Sequence, residues 1–373
     1  QVVVATLTAT GGSDAVVVDG GAGVVDVGQA TVTDPAGAAL RVDGHRGTVR
    51  IDDGMLAASS GPAGAMVDVT GVDAADAGGT VHVGADITNP DGTGSAGRPL
   101  RVDGLRGGSV TVAGAVGWDG AGVRITDSAG GAVGFTGGVD VTTMNGTPLY
   151  ATDAVLTMTG PGNRLVADGR AALRLSGVVI GAAGARIAEA SSSGATYLPG
   201  VLEQEGYGVY LSAVSGTAGG RLVIGGGTVT TPAVGGVFVQ SSFDQTIGAL
   251  RITEAGTDDA EGVAGVLVRG GRGILLDGTV VERPRQVGVL GVDTQDLTLR
   301  GVSVDDSDGV GIRLDRPMGT LTRLDGTAVG DSRATGLLVT GAASGPTALA
   351  IINSTVSGTP AEVDGIRIDT VAG

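Results

Sequence analysis

Acidic side chains stand in adjacent pairs at Asp52-Asp53, Asp258-Asp259 and Asp305-Asp306, and Asp308 follows the last pair closely. Two carboxyls about 5 to 9 Å apart can cleave a glycosidic bond, one as acid and the other as base or nucleophile. Clustered carboxylates are also the hard oxygen donors that Ca²⁺ takes, so Asp305, Asp306 and Asp308 are a candidate calcium site. The imidazoles are His45 and His82. The phrase Asp43-Gly44-His45-Arg46-Gly47 recurs without histidine as Asp103-Gly104-Leu105-Arg106-Gly107, which marks it as a structural corner, and His82 lies on an alternating strand. Cysteine is absent, so disulfides, thiolate catalysis and Cys-ligated metals are excluded.

These residues must be positioned by a repeat. A short apolar/polar/apolar strand framed by glycine or aspartate returns roughly every 23 to 29 residues, the signature of a solenoid. It reads Leu40-Arg41-Val42-Asp43-Gly44, Leu100-Arg101-Val102-Asp103-Gly104, Val123-Arg124-Ile125-Thr126, Ile312-Arg313-Leu314-Asp315 and Ile366-Arg367-Ile368-Asp369. Register marks fall at Ala15, Leu40, Val67, Leu100, Val123, Leu149, Leu173, Val209, Val237, Val266, Val289, Ile312, Leu337 and Ile366. They predict an all-β, right-handed parallel β-helix in one domain over 1–373, of roughly 13 coils with about three short strands each. No stretch holds a helical period, and glycine, 72 of 373 residues, would penalise one.

Stacking the coils brings residues one repeat apart to about 4.8 Å, one above another. In the last coils Arg285, Asp308, Arg333 and Glu362 fall into one column of alternating sign, with Arg283, Asp306 and Asp331 beside it. Alternating charges in cross-strand register read as a ladder that holds an exposed corner. The outward central position of the framed strand makes a second column: Arg41, Asp68, Arg101, Arg124, Tyr150, Arg174, Tyr210, Phe238, Leu267, Leu290, Arg313, Leu338 and Arg367. Its stretch from Tyr210 to Leu290 is apolar and should be covered. Either the 186–205 insertion folds back over it or a partner chain or glycan sits there, which makes Tyr150, Tyr210, Phe238, Leu267 and Leu290 candidate binding residues.

Two segments break the rhythm and are expected to project as loops, 186–205 and, smaller, 89–97. A net charge of -16 argues against nucleic acid, which calls for a basic surface. All 23 basic residues are arginine. No run reaches the roughly 18 apolar residues of a membrane span. The first strand, Val2-Val3-Val4-Ala5-Thr6-Leu7, and the last, Gly365 to Asp369, are repeat-like without an amphipathic cap; open edges invite pairing, so further chain, or copies stacked end to end or laterally, are the expected partners.

The run Gly278-Thr279-Val280-Val281, Val287-Gly288-Val289, Leu297 to Val304 and Asp308-Gly309-Val310-Gly311-Ile312 resembles the repeat of parallel β-helix proteins of the pectate-lyase-like type. Gly130-Gly131-Ala132-Val133-Gly134-Phe135-Thr136-Gly137-Gly138-Val139-Asp140-Val141 is similar to the strand repeats of very large bacterial surface and secreted proteins, including autotransporter-like passengers. The resemblance covers nearly the whole chain and implies fold more than activity. It implies a structural or adhesive extracellular solenoid of a bacterial surface or secreted protein, a stiff spacer or filament-building segment without catalysis or cofactor. The alternative it implies is a carbohydrate-active or glycan-binding β-helix, with or without Ca²⁺, whose groove runs past Tyr150, Tyr210 and Phe238. The Gly-His-Gly and Arg-x-Lys elements of β-helical polygalacturonases and the Gly-Gly-x-Gly-x-Asp calcium repeat do not occur in this chain.

Overall fold

In Leu40–Asp43, Leu40 and Val42 are fully buried while Arg41 points outward, the alternation that a strand with one wet face requires. The same pattern recurs throughout the computed structural model, which describes residues 1–59, 64–71, 79–89, 97–196, 206–256, 263–341 and 348–369. Parallel strands stack as a β-solenoid of about 13 turns without barrel closure, and no α-helix occurs among the described residues. Parallel pairing follows from the connectivity, because each turn carries the chain round to the same side of the strand it left.

The chain divides into two compact units where the repeat suggests one domain. The first comprises Gln1–Ala167, Leu173–Ile187 and Gly216–Arg221; the second comprises Asp168–Ala172, Ala188–Ser215 and Leu222–Gly373. In the first unit the framed strands pair in sequence, Val17 with Arg41, Arg41 with Asp68, Asp68 with Arg101, Arg101 with Arg124, Arg124 with Tyr150 and Tyr150 with Arg174. In the second, Tyr210 pairs with Phe238, then Leu267, Leu290, Arg313, Leu338 and Arg367 follow one another. The register read from the sequence holds with one correction. Val16, not Ala15, is the partner of Leu40.

Each turn closes with strands of a second sheet. The long strand Thr48–Ala57 pairs through its first half with Thr80–Val83 and through its second with Asp86–Thr88, so one strand becomes two as the chain turns a corner. In the second unit Thr246–Thr253 divides likewise into Leu275–Asp277 and Val280–Glu282. Corners stack as well: Ser241, Gly270, Asp293, Arg316 and Gly341 all have left-handed φ, at 47°, 59°, 51°, 49° and 61°. Each donates its N–H to a carbonyl of the next turn at 2.8 to 3.0 Å, so the ladder continues through the bend.

The residue just before the framed strand faces inward. In the first unit it varies, from Ala39 and Met66, both fully buried, to Pro99, Gly122 and Pro148. In the second it is glycine at 208, 236, 265, 288, 311 and 336. A Cβ at Gly236 would lie 2.4 Å from Cγ2 of Ile252, and at Gly265 2.3 Å from Cγ1 of Val281. The opposite sheet approaches too closely there for any side chain.

Of the segment 186–205 expected to project, Arg186 and Ile187 end a strand and Glu189–Ser193 forms another, while 197–205 lie outside the described residues. In the shorter segment 89–97, Asn89 is buried and its carboxamide closes a pair with the Asp119 backbone, accepting from N–H at 2.8 Å and donating to the carbonyl. Residues 90–96 lie outside the described residues, as do Asp258 and Asp259.

Candidate functional site

The outward column has two different surroundings. In the first unit it is a charge ladder. Arg101 sits between Asp103 on its own strand, at 2.9 Å, and Asp68 on the preceding turn, at 3.7 Å. Arg41 lies 3.9 Å from Asp14 and 4.0 Å from Asp43. Asp103 also accepts from the Thr126 hydroxyl at 2.7 Å. Burial is the larger influence on Asp68 and raises its carboxyl above the usual carboxylate range, against the pull of Arg101 and Arg41. Tyr150 is held between two cations, with the Arg124 guanidinium 5.4 Å and that of Arg174 5.1 Å from its ring centroid.

In the second unit the column is buried from Tyr210 to Leu290 and turns polar again at Arg313 and Arg367, which pair with Asp315 and Asp369. Tyr210, Phe238, Leu267 and Leu290 are only 3%, 8%, 3% and 9% exposed, and with Tyr207, Val234 and Ala264 they form one apolar cluster. Phe238 stacks on Tyr210 at 5.0 Å and 14°, and Tyr207 packs against Phe238 at 5.0 Å. The apolar run expected to be covered is buried. Part of the cover proposed for it, 197–205, lies outside the described residues.

Tyr207 is a member of the cluster that the column did not reveal. Its ring lies over Gly235, where a Cβ would come within 2.7 Å of Cε1. The absent side chain of Gly235 was the available signal.

In the last turns Arg333 donates to Asp308 at 2.9 Å. Among the described residues no ion pair joins Glu362 to Arg333. The flanking residues Arg283, Asp306 and Asp331 occupy a corner with φ of 49°, 52° and 44°, and Arg283 reaches Glu254 at 3.0 Å. Asp305 lies on a strand beside Glu282. Asp305, Asp306 and Asp308 are therefore not gathered as ligands: among the described residues no group of three or more His, Asp or Glu side chains is placed to hold a metal ion.

His45 is buried, with Nδ1 2.6 Å from the Gly20 carbonyl and Nε2 3.0 Å from that of Gly23. Both ring nitrogens face carbonyls of the preceding turn, and the one that carries the proton donates to its carbonyl, so the ring is buried against the stack. His82 pairs in register with Arg50 and Thr111.

Elsewhere the acids brace the stack. Arg300 grips Asp277 through two bonds, at 2.8 and 2.5 Å, and Arg316 grips Asp293 through two at 2.7 Å; each pair holds its carboxyl below the usual range. Asp296 accepts from the Leu321 N–H at 3.0 Å and from the Thr320 N–H and hydroxyl at 2.7 and 2.8 Å, which depresses its carboxyl too. Comparison with known proteins adds no relative: no protein-family model, no curated protein and no solved structure matches the chain.

Proposed function

We propose that this solenoid is a structural module, a spacer or filament-building segment of a bacterial surface or secreted protein, rather than an enzyme. The observation that carries the reading is where the charged side chains go. Arg41, Arg101, Arg251, Arg283, Arg300, Arg316 and Arg333 each bridge to a carboxylate on a neighbouring turn. Acid and arginine are thus joined to each other along the stack, as bracing between turns. A pocket of about 20 Å³ is lined mainly by aliphatic residues, Ile312, Leu324, Val329, Leu337, Val356 and Ile366 among them, with Thr327, Ser354 and Thr355 at its wall, and has room for little more than one water.

The surface or secreted setting rests on the resemblance to β-strand-repeat and autotransporter-like proteins. The test is direct. Purified chain incubated with polygalacturonate and with neutral glucans, with and without Ca²⁺, is expected to release neither unsaturated nor reducing ends. Time-dependent release that disappears in Asp306→Asn would replace the structural reading with a lyase or hydrolase.

A further inference from the structure

Asparagine stands at Asn89, Asn145, Asn163 and Asn353, and the fold treats these positions differently. The carboxamides of Asn89 and Asn163 are buried and bonded at both ends. Asn89 closes its pair with the Asp119 backbone, while Asn163 accepts from the Val139 N–H at 2.9 Å and donates to the Gly160 and Arg186 carbonyls at 3.1 and 2.6 Å. Asn145 is the reverse case. It follows the strand Val139–Met144 at an exposed corner, in the left-handed conformation with φ of 60°, which a short carboxamide side chain tolerates. Gly146 comes next. Among the described residues neither the Asn145 carboxamide nor the Gly146 N–H has a hydrogen-bond partner; the corner's own bond, from the Thr143 hydroxyl to the Gly146 carbonyl at 2.6 Å, uses neither group. Asn353 shares the exposure and a left-handed φ, at 48°, but the residue after it is Ser354, whose hydroxyl donates to the Ile352 carbonyl at 2.9 Å.

An unbonded carboxamide beside an unbonded backbone nitrogen, with no Cβ on the residue that carries that nitrogen, is a pair that can react. We propose that Asn145 is a modification site, where the chain converts its own asparagine to aspartate and isoaspartate without an enzyme. The Asn145–Gly146 peptide turns about the ψ of Asn145, a movement that Gly146 permits because it has no side chain to clash. The Gly146 nitrogen, giving its proton to a solvent base, attacks Cγ of Asn145. A C–N bond closes a succinimide ring, and the side-chain nitrogen leaves as ammonia. Water then adds to one of the two ring carbonyls and breaks its bond to the ring nitrogen. Addition at Cγ gives aspartate; addition at the backbone carbonyl gives isoaspartate, in which the main chain runs through Cβ. Water is the co-reactant, and nothing is oxidised or reduced. Either product puts a new carboxylate on the corner, and the isoaspartyl form also lengthens the backbone between Thr143 and Gly146, the two residues that the corner's own bond joins. The inference does not depend on the structural reading above.

The test is peptide mapping by mass spectrometry after the folded chain has been incubated in mildly alkaline buffer at physiological temperature, with isoaspartate resolved from aspartate. The amide-to-acid mass gain is expected at Asn145, with isoaspartate among the products, while Asn89 and Asn163 stay unchanged and Asn353 lags behind. Gly146→Ala should slow the conversion roughly tenfold, because a methyl group hinders the approach of the nitrogen. That substitution fits the corner: Gly146 is outside the left-handed region, and a Cβ there would lie 3.4 Å from Cβ of Thr143. Asn145→Gln, which would have to close a larger ring, should remove the gain at this position. The same chain unfolded in urea supplies the rate that the sequence alone allows. If Asn145 in the folded chain converts more than about tenfold slower than in the unfolded chain, the corner protects it and the proposal is overturned. Equal rates in wild type and Gly146→Ala would overturn it as well.

Discussion

The two units use the same position of the same strand in opposite ways. From Arg41 to Arg174 the outward column is polar and braced by Asp14, Asp43, Asp68 and Asp103; from Tyr210 to Leu290 it is buried aromatic and aliphatic core. The residue ahead of the strand differs at the places compared: before Arg41 and Asp68 it is Ala39 and Met66, both fully buried, and before Phe238 and Leu267 it is glycine, where the opposite sheet closes in, as Ile252 does on Gly236. Glycine is not confined to the apolar stretch, since Gly122 and Gly311 precede the strands of Arg124 and Arg313. One backbone repeat therefore supports two distributions of apolar mass, one wholly inside the turn and one divided between inside and outside.

The comparison breaks first at Phe238. Phe238→Ala should cost about 3 to 5 kcal/mol, as for a large ring removed from a packed site, whereas Arg124→Ala at the corresponding position should cost less than about 1 kcal/mol. Equal losses in chemical denaturation would mean that the Phe238 ring is not core. Next is the inward glycine. Gly236→Ala should lose about 1 to 3 kcal/mol by overpacking against Ile252. Ile252→Ala alone leaves a cavity, but the double variant should cost less than the sum, since the new methyl occupies part of the vacated space. Strict additivity would show that the sheets do not meet at that point.

Much of this fold was legible because its information is local and periodic. Alternation at Leu40-Arg41-Val42 and a glycine or aspartate after it place the strand, its faces and its register, and the register holds along each unit apart from the shift at Val16. Alternation reports which side chains share a face but not whether that face is covered. The run from Tyr210 to Leu290 signals by its apolar side chains that something covers it, and it is buried, but alternation does not say what the cover is. Tyr207 escaped because the pairing steps from Tyr207–Gly235 to Val209–Val237 across Gly208, where strict alternation lapses. The carboxylate trio failed for a related reason: the left-handed φ of 52° at Asp306 turns the chain between Asp305, on its strand, and Asp308, at the next ladder. Nearness in sequence across such a corner does not converge side chains.

Titration sharpens the contrast between the units. Asp68, in the polar column, has a folded-state carboxyl raised chiefly by burial. The folded chain then binds the proton more tightly than the unfolded chain, so the stability contributed by this group falls as pH rises through the window just above the ordinary carboxylate value. Asp68→Asn is expected to be neutral or stabilising at neutral pH, by on the order of 1 kcal/mol or less, with the difference closing below that window. Asp296, at a corner of the second unit, is depressed by hydrogen bonds from Leu321 and Thr320. Its contribution has the opposite sign: present above the unfolded carboxylate value and lost as pH falls through the lower folded one. Thermal midpoints of Asp68→Asn and Asp296→Asn measured from pH 3 to 7 should both differ from wild type at the neutral end, with opposite sign, Asp68→Asn at or above it and Asp296→Asn below it, and both differences should close as pH falls. Parallel curves would refute the burial assigned to Asp68.

The smallest effect lies in the last turns, where ladder and register can be told apart. Sequence spacing alone places Glu362 above Arg333, but the bond in the structure runs from Arg333 to Asp308, and both partners are largely exposed, at 72% and 44% of their side chains. Exposed pairs contribute about 0.2 to 1 kcal/mol, and a like-charge contact on adjacent strands costs a similar amount. Arg333→Glu should therefore lower stability by no more than about 1 kcal/mol at low salt and by less near physiological ionic strength, where screening acts over about 8 Å. The informative step is the charge swap. Arg333→Glu with Asp308→Arg restores an attractive pair at the same two positions and should recover most of the loss, while Arg333→Glu with Glu362→Arg should recover little. Recovery by the second pair and not the first would mean that Arg333 is bonded to the following turn, and that the ladder at this end of the second unit runs in the other direction.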